Sequence, residues 1–163
     1  MGAREEIYLV YGAHDGFAST LDLAALDGTA GSILTGITEY SCNMPCVGRS
    51  VSTAGDINGD GFDDMVVGAY YDSQVYVVFG AEEGIPASLN LSNLDGNNGF
   101  VLAGDSIGGG GGWTGYSVSP AGDINGDGLD DILIGDHESN SDADANAGVM
   151  YVVFGNSSAF PAS

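Results

Sequence analysis

AGDINGDGFDD at residues 54–64 and AGDINGDGLDD at residues 121–131 decide how this chain is read. The two stretches differ only at Phe62 against Leu129, and they begin 67 residues apart. Their common core, D-x-N-x-D-G-x-x-D, puts an oxygen-bearing side chain at every second position and closes with another carboxylate. Calcium is a hard cation that takes about six to eight oxygen ligands at roughly 2.3–2.6 Å. A tight loop with alternating donors suits it.

The spacing nominates a ligand set for each loop. In the first loop, Asp56, Asn58 and Asp60 hold positions 1, 3 and 5, Phe62 offers its main-chain carbonyl at position 7, and Asp64 closes the site at position 9. Gly61 permits the sharp turn and Gly59 adds freedom. In the second loop the same places fall to Asp123, Asn125, Asp127, the carbonyl of Leu129, and Asp131, with Gly128 at the turn. Asp63 and Asp130, at position 8, are expected to point outward. An EF-hand is excluded, because position 12 is Val67 or Ile134 rather than Glu, and strand-like MVVGAY or ILIGDH follows instead of a helix. Magnesium fits less well, since it prefers small octahedral sites and keeps waters. The competing reading is an acidic, glycine-rich hairpin turn that holds no metal; finding the pattern twice in equivalent places weighs against it.

The repetition extends beyond the loops. GRSVSTAGDINGDGFDDMVVGA (48–69) aligns with GYSVSPAGDINGDGLDDILIGD (115–136), and QVYVVFG (74–80) aligns with VMYVVFG (149–155). IYLVYG (7–12) is an earlier copy of that last motif. The linker YGAHDGFASTLDLAALDGTAGSILTG (11–36) matches FGAEEGIPASLNLSNLDGNNGFVLAG (79–104), and FGNSSAFPAS (154–163) begins a third. A fixed period of this kind marks a repeat architecture.

Composition agrees. There are 28 glycines, 44% apolar residues, and short β-branched or aromatic runs without long apolar stretches at helical spacing. The chain therefore reads as all-β, with strands expected at 7–11, 32–35, 48–53, 64–69, 74–79, 99–103, 116–120, 131–135 and 149–154. ASTLDLAAL (18–26) could form a turn or two of helix, or a loop like its equivalent ASLNLSNL (87–94). Only Arg4 and Arg49 oppose 23 acidic residues, and the net charge of −21 argues against nucleic acid and anionic membranes as partners. No apolar run reaches the ~18 residues of a membrane-spanning helix, and no signal peptide is visible.

The run GxSVxxAGDINGDGxDD, followed by a hydrophobic strand and then YVVFG, resembles the FG-GAP repeat, which builds the β-propeller of integrin alpha chains and occurs in bacterial surface proteins. Phe79-Gly80 and Phe154-Gly155 supply the Phe-Gly pairs, with Tyr11-Gly12 as a variant. The "GAP" end is only partly kept, as Gly68-Ala69-Tyr70 and Gly135-Asp136-His137. The resemblance implies blades of four antiparallel strands, with the oxygen-rich loop binding calcium between two strands: two sites per chain, with the ligands given above. It divides the chain into a partial blade (1–47), a complete blade with its loop (48–104), and a second partial blade (105–163). One whole blade and two partial ones cannot close a ring. Assembly of several copies, or membership of a longer propeller, is therefore expected.

Cys42 and Cys46, as C-x3-C in YSCNMPCVG, are candidates for a local disulfide suited to a secreted protein; two free thiols or a metal site are the alternatives. Trp113, beside five glycines, is either a ligand-stacking aromatic or a packing residue at a blade edge. No nucleophile elbow, phosphate-binding loop or H-E-x-x-H occurs, so no catalytic role is expected. The expected function is a calcium-binding module for extracellular protein–protein or cell-surface recognition and adhesion. The alternatives are a carbohydrate-binding, lectin-like module and a purely structural, calcium-rigidified segment of a larger surface protein or enzyme.

Overall fold

The computed structural model describes residues 6–36, 47–104, 113–137, 139, 147–158 and 160. The candidate disulfide residues Cys42 and Cys46 lie outside the described residues. Ten strands form among the described residues: β1 (Glu6–Val10), β2 (Gly31–Thr35), β3 (Ser50–Gly55), β4 (Asp64–Ala69), β5 (Gln74–Val78), β6 (Ser88–Asn90), β7 (Gly99–Ala103), β8 (Ser117–Gly122), β9 (Asp131–Asp136) and β10 (Val149–Val153). Single 3₁₀ turns occupy Leu23–Ala25, Tyr70–Asp72 and Leu91–Asn93, and no α-helix occurs among the described residues. The all-β expectation holds. No helix among the described residues is long and apolar enough to cross a membrane.

Three sheets result. The middle one runs β3-β4-β5-β7, all antiparallel, so each strand pairs with the next along the chain apart from the short β6. Behind it in the sequence, β8, β9 and β10 repeat the first three strands of that sheet. Ahead of it, β1 and β2 repeat its last two.

Side chains on successive residues of a strand point to opposite faces, and here both faces of the middle sheet are covered. Val66, Val75, Val77 and Phe100 face the third sheet and pack with Ile132 and Ile134. Val67, Tyr76 and Val78 face the first sheet and pack with Leu34, Leu89 and Leu91. Burial on both sides explains why DMVVGA and QVYVV are continuously apolar rather than alternating. The sheets stack face to face in the manner of propeller blades.

Nine strands fall where the sequence placed them, and β6 is the tenth. It is a three-residue piece of the long linker, laid parallel on the outer edge of β2 with Leu34 opposite Leu89. Leu89 drops into the core beside Leu91 and Leu94. The 3₁₀ turn that follows is capped by the Asn90 side chain, which accepts from the Ser92 N–H at 2.9 Å. Asp22 caps the equivalent turn in the earlier linker, accepting from the Ala24 N–H at 3.0 Å. These turns replace the helix that the linker pattern left open.

Candidate metal loops and their surroundings

Each oxygen-rich loop links the first and second strands of a sheet: β3 to β4, and β8 to β9. A bulge precedes each loop, between Thr53 and Gly55 and between Pro120 and Gly122. Gly55 and Gly122 both carry φ of 64°, which turns the chain out of the ladder.

The loop is built around its first aspartate. Asp56 Oδ1 accepts from the N–H groups of Gly59 (2.8 Å) and Asp60 (3.0 Å), and Oδ2 accepts from Gly61 (2.9 Å). Asn58 accepts from the Asp60 N–H and donates through Nδ2 to Asp60 Oδ2 at 2.9 Å, and Asp60 Oδ1 accepts from the Phe62 N–H. The second loop repeats this on Asp123, Asn125 and Asp127, with matching distances of 2.7 to 3.0 Å. Two loops 67 residues apart thus fold alike because the same residues direct the same N–H groups.

The closing aspartates lie deeper. Asp64 and Asp131 are buried. Asp64 accepts from the Ile57 N–H at 3.1 Å and the Gly80 N–H at 2.8 Å. Asp131 accepts from Ile124 and Gly155, each at 2.9 Å. Gly80 and Gly155 are the glycines of the two Phe-Gly pairs, so that motif has a structural purpose: its glycine N–H anchors the closing carboxylate. A Cβ at either glycine would press on the backbone of the loop, on Asp63 or on Asp130 and Ile57. Burial, helped by the nearby charges of Asp60 and Asp56, pushes the Asp64 carboxyl up to about 6, while its two N–H donors act against the shift. A buried carboxylate beside two others gains from a neighbouring cation.

Among the described residues, no three acidic, histidine or cysteine side chains converge on one point as a preformed metal centre. The carboxylates are turned toward loop N–H groups instead. The donor chemistry nevertheless fits a hard cation. Each loop offers oxygens only, and each carboxylate has about four lone-pair sites, more than its N–H donors occupy.

Position 8 behaves differently in the two loops. Asp63 is exposed, as expected. Asp130 is not turned outward; it reaches the first loop, where its Oδ2 accepts from the Asp56 N–H at 2.9 Å.

At the opposite end of the same sheets lies an aromatic cluster. Trp113 is half-buried and stacks on Tyr70 at 5.0 Å between ring centroids, with Tyr71, Tyr116 and His137 around it. Arg49 lays its guanidinium 4.8 Å from the Tyr116 ring centroid and donates to the Tyr116 hydroxyl at 3.0 Å. Of the two roles open to Trp113, packing against a sheet end matches this geometry.

The FG-GAP repeat family matches residues 47–78 and 114–153, which contain both loops and the strands around them. The chain thus carries FG-GAP repeats over these two segments. It is similar to Integrin alpha pat-2 of Caenorhabditis elegans, with 33% identity over 104 residues, and to Integrin alpha pat-2 of Caenorhabditis briggsae, with 30% over 105 residues. Each match covers 59% of this chain and 8% of the relative, so the chain spans less than a tenth of these integrin alpha chains.

Proposed function

We propose that this chain is a calcium-binding β-propeller repeat module for recognition of protein ligands outside the cell or at its surface. The observation that carries the calcium reading is the pair of loops: the same oxygen donors, in the same internal hydrogen-bond pattern, each closed by a buried aspartate. The ligands are Asp56, Asn58, Asp60, the Phe62 carbonyl and Asp64, and Asp123, Asn125, Asp127, the Leu129 carbonyl and Asp131. Catalysis forms no part of the reading. Similarity to integrin alpha chains supports the extracellular, adhesive role. Further blades, from the same polypeptide or from additional copies, would complete the ring.

Bound calcium would hold each β-hairpin closed and offset part of the surplus negative charge. Extracellular modules often bind calcium at about 10⁻⁴–10⁻³ M. At roughly tenfold excess over the dissociation constant, each site adds about 1.4 kcal/mol to stability. Calorimetric titration with calcium chloride should give two sites for the parent and one each for Asp60→Ala and Asp127→Ala. Both variants should melt below the parent in millimolar calcium. Variants that melt like the parent in calcium and in chelator alike would sink the metal reading.

A further inference from the structure

We propose that Asp130 is a positioning residue that couples the two loops, so that a cation in one tightens binding in the other. The inference rests on the calcium reading above and adds a relation between the sites that the ligand sets alone do not contain.

Asp130 stands between two ligand positions of the second loop, the Leu129 carbonyl and the Asp131 carboxylate. It also grips the first ligand residue of the first loop at both ends of its backbone. Its Oδ2 accepts from the Asp56 N–H at 2.9 Å, and its own N–H donates to the Asp56 carbonyl at 3.2 Å. Two more contacts run alongside. The Asn156 N–H donates to the Ile57 carbonyl at 2.9 Å. The Leu129 side chain lies 2.8 Å from where a Cβ of Gly59 would stand. Ile57 is consequently sealed at 0% exposure, while its equivalent Ile124 is 54% exposed. The first loop is braced by the second, whereas the second has no such brace among the described residues.

The bulge glycines show how closely Asp130 fits. A Cβ on Gly55 would collide with the Asp130 carboxylate, whereas a Cβ on Gly122 would meet nothing within 4 Å. Both glycines have φ of 64°, so a side chain strains the backbone equally at either one.

The mechanism is an ordering one. A cation in the second loop fixes Leu129 and Asp131, and therefore Asp130 between them. Asp130 then holds the Asp56 peptide in place, so the first loop has less freedom to lose when it binds. Linkage makes the effect reciprocal and equal in both directions.

Calcium titrations of the whole chain by calorimetry test this. Disabling the second loop with Asp127→Ala should weaken the first site roughly fivefold or more relative to the parent. Asp130→Ala should keep two sites but weaken the first by a similar factor, and adding Asp127→Ala to it should weaken the first site no further. Asp130→Asn, which retains an acceptor oxygen, should restore the parent behaviour. Gly55→Ala should abolish the coupling and Gly122→Ala should keep it; this pair decides the matter if Asp130→Ala does not fold. An Asp127→Ala effect of equal size with and without Asp130, or equal behaviour of the two glycine variants, overturns the coupling while leaving calcium binding intact. A parent chain that takes up no calcium overturns both.

Discussion

β5 and its two equivalents, β1 and β10, have closely similar sequences and live in different surroundings. Tyr76 in β5 is 0% exposed, but Tyr8 at the same place in β1 is 37% exposed; Val77 is sealed, but Val152 is exposed. The middle strand has a partner strand on each side and a packed sheet on each face. Among the described residues, β1 has no counterparts of the two strands that precede β5, and an apolar groove of about 500 Å³ opens there, lined by Ile7, Leu9, Val51 and Met65. Among the described residues, β10 has β9 on one side only. The difference shows that apolar character in these strands is written for a blade with neighbours, and that among the described residues the middle sheet has them on both faces.

The largest test of that contrast is tyrosine removal. Tyr76→Ala should cost about 3–5 kcal/mol in urea unfolding of the whole chain, the range for deleting a buried aromatic side chain. Tyr8→Ala should cost about 1 kcal/mol or less. Comparable losses would mean that β1 is packed in solution by something beyond its own chain.

Next in size is a pH effect in the middle sheet. In chelator, the Asp64 carboxyl keeps its proton up to about pH 6 in the folded chain, against the ordinary value of 3.8. The folded state therefore holds the proton more tightly. The stability this group contributes is present below about pH 4 and is lost as pH rises to about 6, a change of about 3 kcal/mol at most. Asp64→Asn should flatten that part of the stability curve. An unchanged slope would mean that Asp64 ionises normally and is better solvated than its burial implies.

The smallest effect compares two valines that each stand between two serines. Val118 in β8 packs against the core on the middle sheet, whereas Val51 in β3 is 53% exposed beside the groove. Val118→Ala should cost about 1 kcal/mol and Val51→Ala less than about 0.5 kcal/mol. A reversed order would show that the groove beside β3 is filled in solution.

Much of this arrangement was legible in the sequence, because a repeat lets each copy check the others. The strands, the loops between them and the alternation of donors all follow from residues that recur with fixed spacing, whereas the bulges before the loops were seen only in the fold. What escaped lies between repeats. SLN in the linker is too short to signal a strand, and it becomes one only because β2 presents an open edge at a place distant along the chain. Asp130 and Asp63 are indistinguishable as letters; Asp130 meets Asp56 of the preceding loop, while Asp63 is exposed. The glycines of the Phe-Gly pairs read as family landmarks, and their N–H donation to Asp64 and Asp131 needs a fold to be seen.

The parallel seam between β2 and β6 also sets a schedule. Ile33 of β2 pairs with Ser88 of β6, so the ribosome must add some 55 residues after the edge is made before its cover exists. At about 5–20 residues per second that interval is roughly 3–11 s. For that time the nascent β1-β2 pair is a hairpin with a bare outer edge, and such an edge is a template for pairing with other chains. Synthesis therefore opens a window in which this edge of β2 can pair with other chains, and it closes only when β6 arrives.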